Sequence, residues 1–543
     1  MLKFKSLQFL CKDGENDFMA ITSSSLHNDR LDLKINTDGD VFTVTVTSNE
    51  TITIQKMYAE FEFTYNEDDK IFLNGYQSWT DSIEHGIHDK MRGISHIPSA
   101  IREKYAFSQY GDYNFSDYRE NMHGWTYAYV RRDDTYYFIG SLAENTGFTQ
   151  IITLPEKNII AVQKDCSGLE INGEWCALKV MLTEGGEDEV FDRYFDTLGV
   201  PPRYGAKPVF GYTSWYNHYQ DIDEAALSDD LMSLNSLSAK PEVFQIDDGW
   251  QTAVGDWLSV DANKFPNGMK TAADNIKQAG MIPGIWLAPF VCEENSDIFI
   301  NKKEWLLTND DLEYVRGGSN WSGFYALDIY NEEVREYIRN VINIVTNDWG
   351  YKLLKLDFLY AACIIPRSDK TRGQIMSEAM EFLRECAGDA LILGCGVPLA
   401  SAFGKVDYCR IGCDVSLDWN DKPHMRLMHR ERISTRNSIL NTVFRRQLDH
   451  RAFLSDPDVF LLRPCNISMS EEKRCCLAEI NALMGSVLFT SDNFFDYTET
   501  EIKELSKILK IRDAKIISAD IDDDKLTLRF KIGEKKYIKT YNI

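Results

Sequence analysis

From about residue 205 onward, short apolar runs of strand length alternate with longer stretches of helical period. Few folds satisfy that alternation, because a strand–helix–strand repeat brings each strand back parallel to the last. The expected strands lie at 208–215, 242–247, 281–287, 353–358, 391–394, 408–411, a loosely defined stretch within 441–460, and 486–490. Two of the intervening helices carry clear signals. Asn331 followed by Glu332 and Glu333 reads as a cap with early acids. The stripe Val334, Ile338, Val341, Ile342 and Val345 gives that helix one apolar face, and Gly350 is a plausible stop. A second helix runs from Met269 through Ala272 and Ile276 to Gly280. Eight strand–helix units over roughly 290 residues predict a (β/α)8 TIM barrel, which typically needs about 250 residues plus insertions. The long stretch 290–350 before the fourth strand is expected to hold an active-site loop as well as a helix.

The preceding residues, 1–203, read as β-rich: Val41–Thr47, Thr51–Ile54, Thr126–Val130, Tyr136–Gly140 and Leu178–Leu182 are alternating or β-branched and aromatic runs broken by Asn, Asp and Gly. They predict an N-terminal β-sandwich that ends at the stiff joint Gly199-Val-Pro-Pro. The barrel is expected over 204–497. Residues 498–543 read as a short C-terminal segment of one helix (499–511) and two strands (525–531 and 536–541), too small to have its own core. The fold class is therefore α/β plus β.

Composition excludes several classes. Lys+Arg 59 against Asp+Glu 84 gives a net charge of −25, which repels phosphate backbones and anionic lipids, so neither nucleic acid nor membrane is an expected partner. No apolar run reaches about 18 residues, and the opening MLKFKSLQFLCKDGEN has too short an apolar core for a signal peptide. The 12 cysteines are scattered without CxxC pairs, which reads as reduced, buried thiol in a cytoplasmic protein. None of the nine histidines has HxxxH or HExxH spacing. His85, His88 and His96 read as solvated loop residues, and His424 and His429, five apart, fall on different helix faces. No metal or cofactor is expected. There is no GxSxG elbow and no GxxxxGK[ST] loop.

Side chains at the carboxyl rim of a barrel face the substrate, and four clusters fall there. Lys355 and Asp357 flank Leu356 and share one face of a strand, with Leu354, Leu356 and Phe358 on the other. The pair reads equally as a nucleophile kept ionised by a neighbouring ammonium or as a structural ion pair capping a strand. Asp414 follows Arg410 and a turn through Gly412; it is a general acid/base with Arg410 holding a sugar hydroxyl or the carboxylate, or an ordinary turn aspartate. Asp247-Asp248-Gly249-Trp250 sets two acids where sugar hydroxyls could supply donors and Trp250 an aromatic wall, or it caps a turn. Trp215 and Trp286 suit sugar stacking or a buried aromatic cluster. Two carboxylates on neighbouring strands are the minimum equipment for glycosidic cleavage.

Together and in this order, Trp215, Asp247-Asp248-Gly249-Trp250, Lys355-Leu-Asp357, Arg410-Ile-Gly-Cys-Asp414 and Ser491-Asp492 resemble the α-galactosidases of glycoside hydrolase family 36 and their clan relatives of family 27. The resemblance implies a retaining, exo-acting α-galactosidase with Asp357 as nucleophile and Asp414 as acid/base. It further implies Asp247, Asp248, Lys355 and Arg410 as galactose ligands, and no metal. The family's glycine-rich run near the fifth strand appears as Gly394-Cys395-Gly396-Val-Pro, a departure that leaves galactose, N-acetylgalactosamine and glucose open at the 2-position, with Cys395 among the expected substrate contacts. An α-N-acetylgalactosaminidase, or a transglycosidase of the same family, is the alternative reading. The short tail departs from the family's usual C-terminal β-domain. Asn74-Gly-Tyr-Gln-Ser-Trp79, in the first domain, either walls the aglycone side or forms a plain turn. A remoter alternative is a lyase that forms a Schiff base on Lys355. The expected partner is a small oligosaccharide or glycoside; the sequence leaves the oligomeric state, homo-oligomer included, open.

Overall fold

The structure is a computed structural model that describes residues 2–14, 16–28, 31–118, 122–200, 206–237, 239–422 and 430–543. The boundary expected at 203/204 and the histidines 424 and 429 lie outside the described residues.

The nine barrel strands are β1 (Val209–Thr213), β2 (Val243–Ile246), β3 (Ile282–Leu287), β4 (Leu353–Leu356), β5 (Leu391–Gly394), β6 (Tyr408–Arg410), β7 (Leu454–Asp456), β8 (Val459–Phe460) and β9 (Val487–Thr490). They form one parallel sheet in the order β7-β6-β5-β4-β3-β2-β1-β9-β8. Its two outermost strands are neighbours in sequence, with only Pro457 and Asp458 between them. The sheet thus curls until both edges meet in one chain segment: residues 454–456 pair with β6, and residues 459–460 pair with β9. Proline has no N–H to give a ladder, so the break falls where the sequence demands one. Most of the 441–460 stretch differs from expectation. Ser434 caps a helix, Thr435–Arg445, buried on every side, so its polar residues mark no solvent face and the 3.6 period is hidden. The helix over Glu332–Asn343 opens on Asn331, whose side chain accepts from Glu333 N, and buries Val334, Ile338, Val341 and Ile342 as the stripe predicts. The 290–350 insertion contains a small antiparallel sheet of Val291–Glu293, Arg316–Gly318 and Phe324–Ala326.

Among the described residues, thirteen strands between Lys3 and Gly185 form one antiparallel sheet, where the sequence predicts a β-sandwich. One strand runs unbroken over Val41–Glu62, through the Ser48-Asn49-Glu50 stretch that resembles a break. Its partner Glu170–Gly185 follows it through register shifts at Ile171/Gly173 and Cys176/Leu178. Such bulges bend long strands without ending them. Alternate residues Val44, Val46, Ile52 and Ile54 pack with Leu7, Phe9 and Leu33 in a core of their own. The other face (Phe72, Tyr127, Tyr129 and Phe138) joins the barrel core through the helix Glu187–Leu198, whose Phe191 and Tyr194 pack on it. The C-terminal segment has three strands, Lys515–Asp522, Lys525–Ile532 and Lys535–Asn542. The first escaped prediction because it is partly exposed along its length and shows no clean alternation. Leu526, Leu528 and Phe530 bury into the core shared with the barrel.

A second joint ties the N-terminal sheet to the barrel rim. The loop after the strand Lys70–Leu73 lies on the barrel, with Ser78 N donating to Val397 O at 3.0 Å. Fully buried Arg445 holds that loop. Its Nε donates to Asn74 Oδ1 (2.9 Å), Nη1 to Ser78 O (2.7 Å) and Ile411 O (3.0 Å), and Nη2 to Gln77 O (3.1 Å) and Gly75 O (3.3 Å). Among the described residues no helix is long and apolar enough to cross a membrane.

Candidate active site

A cavity of about 330 Å³ opens at the carboxyl ends of the barrel strands, and Asp247, Asp248, Lys355, Asp357 and Asp414 all line it. Pockets that hold small molecules run from about 300 to 1,000 Å³, so this one suits a ligand of one or two sugar rings. Trp215 and Trp286 also line it.

Asp247, just past β2, is nearly fully buried and accepts from three side chains on Oδ2: Lys355 Nζ at 2.8 Å, Gln245 Nε2 at 2.9 Å and Thr213 Oγ1 at 3.2 Å. Burial pushes its pKa up, but the Lys355 charge and these donors outweigh that and hold it below the usual carboxylate range. Asp248 has its own donors, Gln251 Nε2 (2.6 Å), Gln220 Nε2 (2.8 Å) and Trp321 Nε1 (2.8 Å), yet burial still raises its pKa. Adjacent acids thus coexist because each has a separate set of donors.

Lys355 pairs with Asp247; the direct Lys355–Asp357 ion pair read from the sequence is not formed. Burial lowers the pKa of the amine, but the charges of Asp247 and Asp357 outweigh it and raise the pKa above that of an ordinary ammonium. A Schiff base needs a neutral amine, so this environment runs against the lyase reading.

Asp357 sits immediately after β4. Its Oδ2 accepts from Trp286 Nε1 at 3.1 Å and its Oδ1 from the Phe358 amide at 2.8 Å. Phe358 adopts φ +53°, a left-handed conformation costly for an aromatic residue. The chain therefore turns at once, and the Phe358 ring, expected on the strand's far face, lines the cavity instead. Burial raises the Asp357 pKa and the Asp414 charge adds to that; the Lys355 charge, the Cys395 thiol and Trp286 oppose. If Asp357 must be ionised to react, kcat/KM falls on acidification through a pKa above that of free aspartate. A pH–rate profile whose acid limb sits at the free-aspartate value would contradict this environment.

Asp414 is one-third exposed and is held through Oδ1 by Arg410 Nη2 at 2.9 Å. The same Nη2 lies 3.1 Å from Asp458 Oδ2. Arg410 is thus buried behind Asp414 and is not among the cavity-lining residues, contrary to its expected contact with sugar. Its position follows from Asp458, which sequence reading missed. That residue sits in the β7–β8 break, and its acid captures the guanidinium from the next strand over. Trp250 also departs from expectation. It is fully buried off the cavity, with Nε1 donating to Trp286 O at 3.1 Å, because Gly249 (φ +122°) turns the chain inward there. Cys395 lies behind the wall: its thiol hydrogen-bonds Asp357 and accepts from Trp79 Nε1 at 3.3 Å.

Four further lining residues come from elsewhere in the chain. Trp79, in the loop clamped by Arg445, packs on Phe358 at 5.1 Å between ring centroids. Tyr110 reaches from the N-terminal sheet, donating to Asn320 Oδ1 at 2.6 Å. Trp321, in the insertion, packs on Phe358 at 4.9 Å. The one sequence signal for it was a large aromatic inside the small-residue run Gly317-Gly-Ser-Asn-Trp-Ser-Gly323. Glu431 carried no signal. The histidines of the first domain point apart: His88 Nε2 meets Glu67 Oε1 at 2.7 Å, and His96 Nδ1 meets Gly93 O at 3.0 Å. Among the described residues no three or more His, Cys, Asp or Glu side chains gather in a way that could hold a metal ion.

One carboxyl buried among donors, a second partly open to solvent and a wall of acids and indoles can bind a polyol and exchange its anomeric substituent. The Melibiase family matches residues 192–380, a stretch that includes Asp357 but stops short of Asp414. An Escherichia coli α-galactosidase is 33% identical over 104 residues, covering 18% of this chain and 14% of that protein. An A type blood α-D-galactosamine galactosaminidase from Flavonifractor plautii is 27% identical over 157 residues, covering 27% of this chain and 14% of that protein. The aligned stretches thus span about a seventh of each curated relative. Among solved structures, TtGalA, an α-galactosidase from Thermus thermophilus in complex with p-nitrophenyl α-D-galactopyranoside, superposes with a TM-score of 0.74 at 27% identity. That match covers 94% of this chain and 98% of TtGalA. Over residues 192–380, then, the chain is similar to the glycoside hydrolases of the Melibiase family.

Proposed function

We propose that this protein is a retaining, exo-acting α-galactosidase of glycoside hydrolase family 36, in the clan shared with family 27, and that it hydrolyses short α-galactosides in the cytoplasm. The observation that carries the reading is that Asp357 and Asp414, 57 residues apart in sequence, line one cavity and differ in setting, one buried among donors and the other partly solvated. Retaining enzymes need two such carboxyls about 5–5.5 Å apart.

Asp357 attacks the anomeric carbon as Asp414 gives its proton to the departing glycosidic oxygen. The C–O bond to the aglycone breaks, and an ester forms between the sugar and Asp357. Asp414, now a carboxylate, takes a proton from water; the hydroxide attacks the same carbon and Asp357 leaves. Two displacements return the original anomeric configuration. Asp247, Asp248 and Lys355 hold ring hydroxyls, the ammonium donating and the acids accepting. Arg410 positions Asp414 from behind, sharing Nη2 with Asp458. Trp215 and Trp286 offer flat faces to C–H surfaces of the sugar.

An activated fluorinated α-galactoside is expected to label Asp357, and the first-formed product is expected to be the α-anomer by NMR; a label elsewhere or the β-anomer would reject the mechanism. The Flavonifractor relative favours a second reading, in which a 2-amino or 2-acetamido sugar is the substrate. Rates on nitrophenyl α-galactoside, α-N-acetylgalactosaminide and α-glucoside separate the two, with the galactoside expected to be fastest.

A further inference from the structure

The displacement chemistry leaves one buried acid of the cavity without a task. Glu431 is 8% exposed and lines the cavity, yet it belongs to none of the strand-end groups around Asp357. Thr80 Oγ1 donates to its Oε1 at 2.7 Å and Tyr113 Oη to its Oε2 at 2.5 Å. Both donors come from the N-terminal sheet region, next to the lining residues Trp79 and Tyr110. The backbone there is shaped to the carboxyl: a Cβ on Gly111 would lie 2.7 Å from Oε1. The cavity therefore has two unlike parts. Asp247, Asp248, Lys355 and Asp357, at the barrel strand ends, surround the ring that is cleaved. Trp79, Tyr110, Asn320 and Glu431 come from loops and from the N-terminal sheet, and that part is what remains to receive the group that departs.

We propose that Glu431 is a specificity residue for the leaving group, accepting hydrogen bonds from hydroxyls of a sugar attached to the galactosyl unit, with Trp79 and Tyr110 covering that sugar's apolar face. The inference rests on the α-galactosidase reading and narrows it to oligosaccharides over aryl or alkyl galactosides. A carboxylate makes stronger hydrogen bonds to hydroxyls than a neutral acid does. Burial first, and then the Asp112 charge, push the Glu431 pKa up to about 7, against Tyr113, Thr80 and Arg430. The phenols of Tyr113, Tyr118 and Tyr360, which also feel the Glu431 charge, are raised well above 10 and stay neutral across the range. Recognition of a sugar leaving group is thus expected to strengthen as pH rises through about 7.

The test compares kcat/KM on a galactosyl-glucose disaccharide with kcat/KM on p-nitrophenyl α-galactoside. In Glu431→Gln the loss on the disaccharide is expected to exceed the loss on the aryl galactoside by about tenfold, mostly through KM. In the wild type the ratio of the two values should rise with pH through about 7 and be flat in Glu431→Gln. Tyr113→Phe keeps the acid but removes a donor that lowers its pKa, so it should move that rise to higher pH. Equal losses on both substrates, or a pH-independent ratio in the wild type, would reduce Glu431 to a structural clamp and overturn the proposal. If the wild type cleaves neither galactoside, the α-galactosidase reading falls first and this one with it. Turnover of both with no difference between them sinks this inference alone.

Discussion

With Asp357 as the proposed nucleophile, Asp357→Asn is expected to lower kcat by at least about 10⁴-fold, the scale on which removal of a covalent nucleophile acts, and at neutral pH to give a protein that melts higher than the wild type. The activity loss follows because an amide cannot form the sugar ester. The stability gain follows from linkage. The folded protein raises the Asp357 pKa, chiefly by burial, so the charged form is the disfavoured one. A carboxyl with a raised pKa contributes its stability below the unfolded value and loses it as pH rises through the folded value. Above the folded value that loss is complete, and the neutral amide avoids it. The advantage, about one to a few degrees in apparent Tm for a chain of this size, should shrink as pH is lowered toward the ordinary aspartate range. Calorimetry of both proteins at several pH values reads this directly. An Asn variant that melts lower than the wild type at every pH would show that Asp357 is stabilised as an anion, against the balance of burial and donors around it.

Arg445→Met should be the most destabilising single change outside the apolar core. The side chain is fully buried and meets only neutral acceptors, five in all. Burial lowers its pKa to about 10, so it still carries its charge at neutral pH. Methionine fills similar volume but leaves the carbonyls of Gly75, Gln77, Ser78 and Ile411 and the Asn74 amide oxygen without that donor. Each buried acceptor left unpaired costs about 1–3 kcal/mol, so the change should cost at least about 4 kcal/mol and lower the apparent Tm by about 4 °C or more. Lysine is not expected to rescue it, since one ammonium cannot span the five positions that the guanidinium fork reaches. Surviving protein should also show a raised KM, because Trp79 rides on the released loop. A variant that keeps wild-type Tm would mean that the loop is held by its other contacts, such as the Ser78–Val397 hydrogen bond.

Residues at strand ends were readable because they interrupt or follow apolar runs: an acid or ammonium at the end of a short buried strand has few places to go but a rim. Asp247, Asp248, Lys355, Asp357 and Asp414 all line the one cavity for that reason. Trp250 and Trp286 look alike in sequence and part ways in space, because the outcome depends on the turn at Gly249, where a Cβ would strike the Gln220 backbone at 2.6 Å. Arg410 obeys strand alternation, but Asp458 from the broken strand claims its guanidinium. No local pattern announces that break, since it is a property of how a ring of strands closes. Trp79, Tyr110 and Glu431 were out of reach for a different cause. Trp79 and Tyr110 lie more than a hundred residues from the strand-end groups they face, and only the docking of sheet on barrel brings Glu431 against its donors Thr80 and Tyr113. The loop of Trp79 could be suspected from its composition; its destination could not.

The Arg445 clamp also bears on how this protein could be dissected or rebuilt. A fragment starting at residue 206 would keep every strand-end carboxyl named above, yet it would expose the bonding face of Arg445 and leave the bowl open on the flank where Trp79 and Tyr110 now stand. The carboxyl-bearing rim and the enclosure around it therefore behave as one unit, and a graft that moves the barrel to a new context must carry the leading sheet along. The far edge of the C-terminal sheet, where Tyr537 and Ile538 face solvent, is the gentler point for attaching cargo.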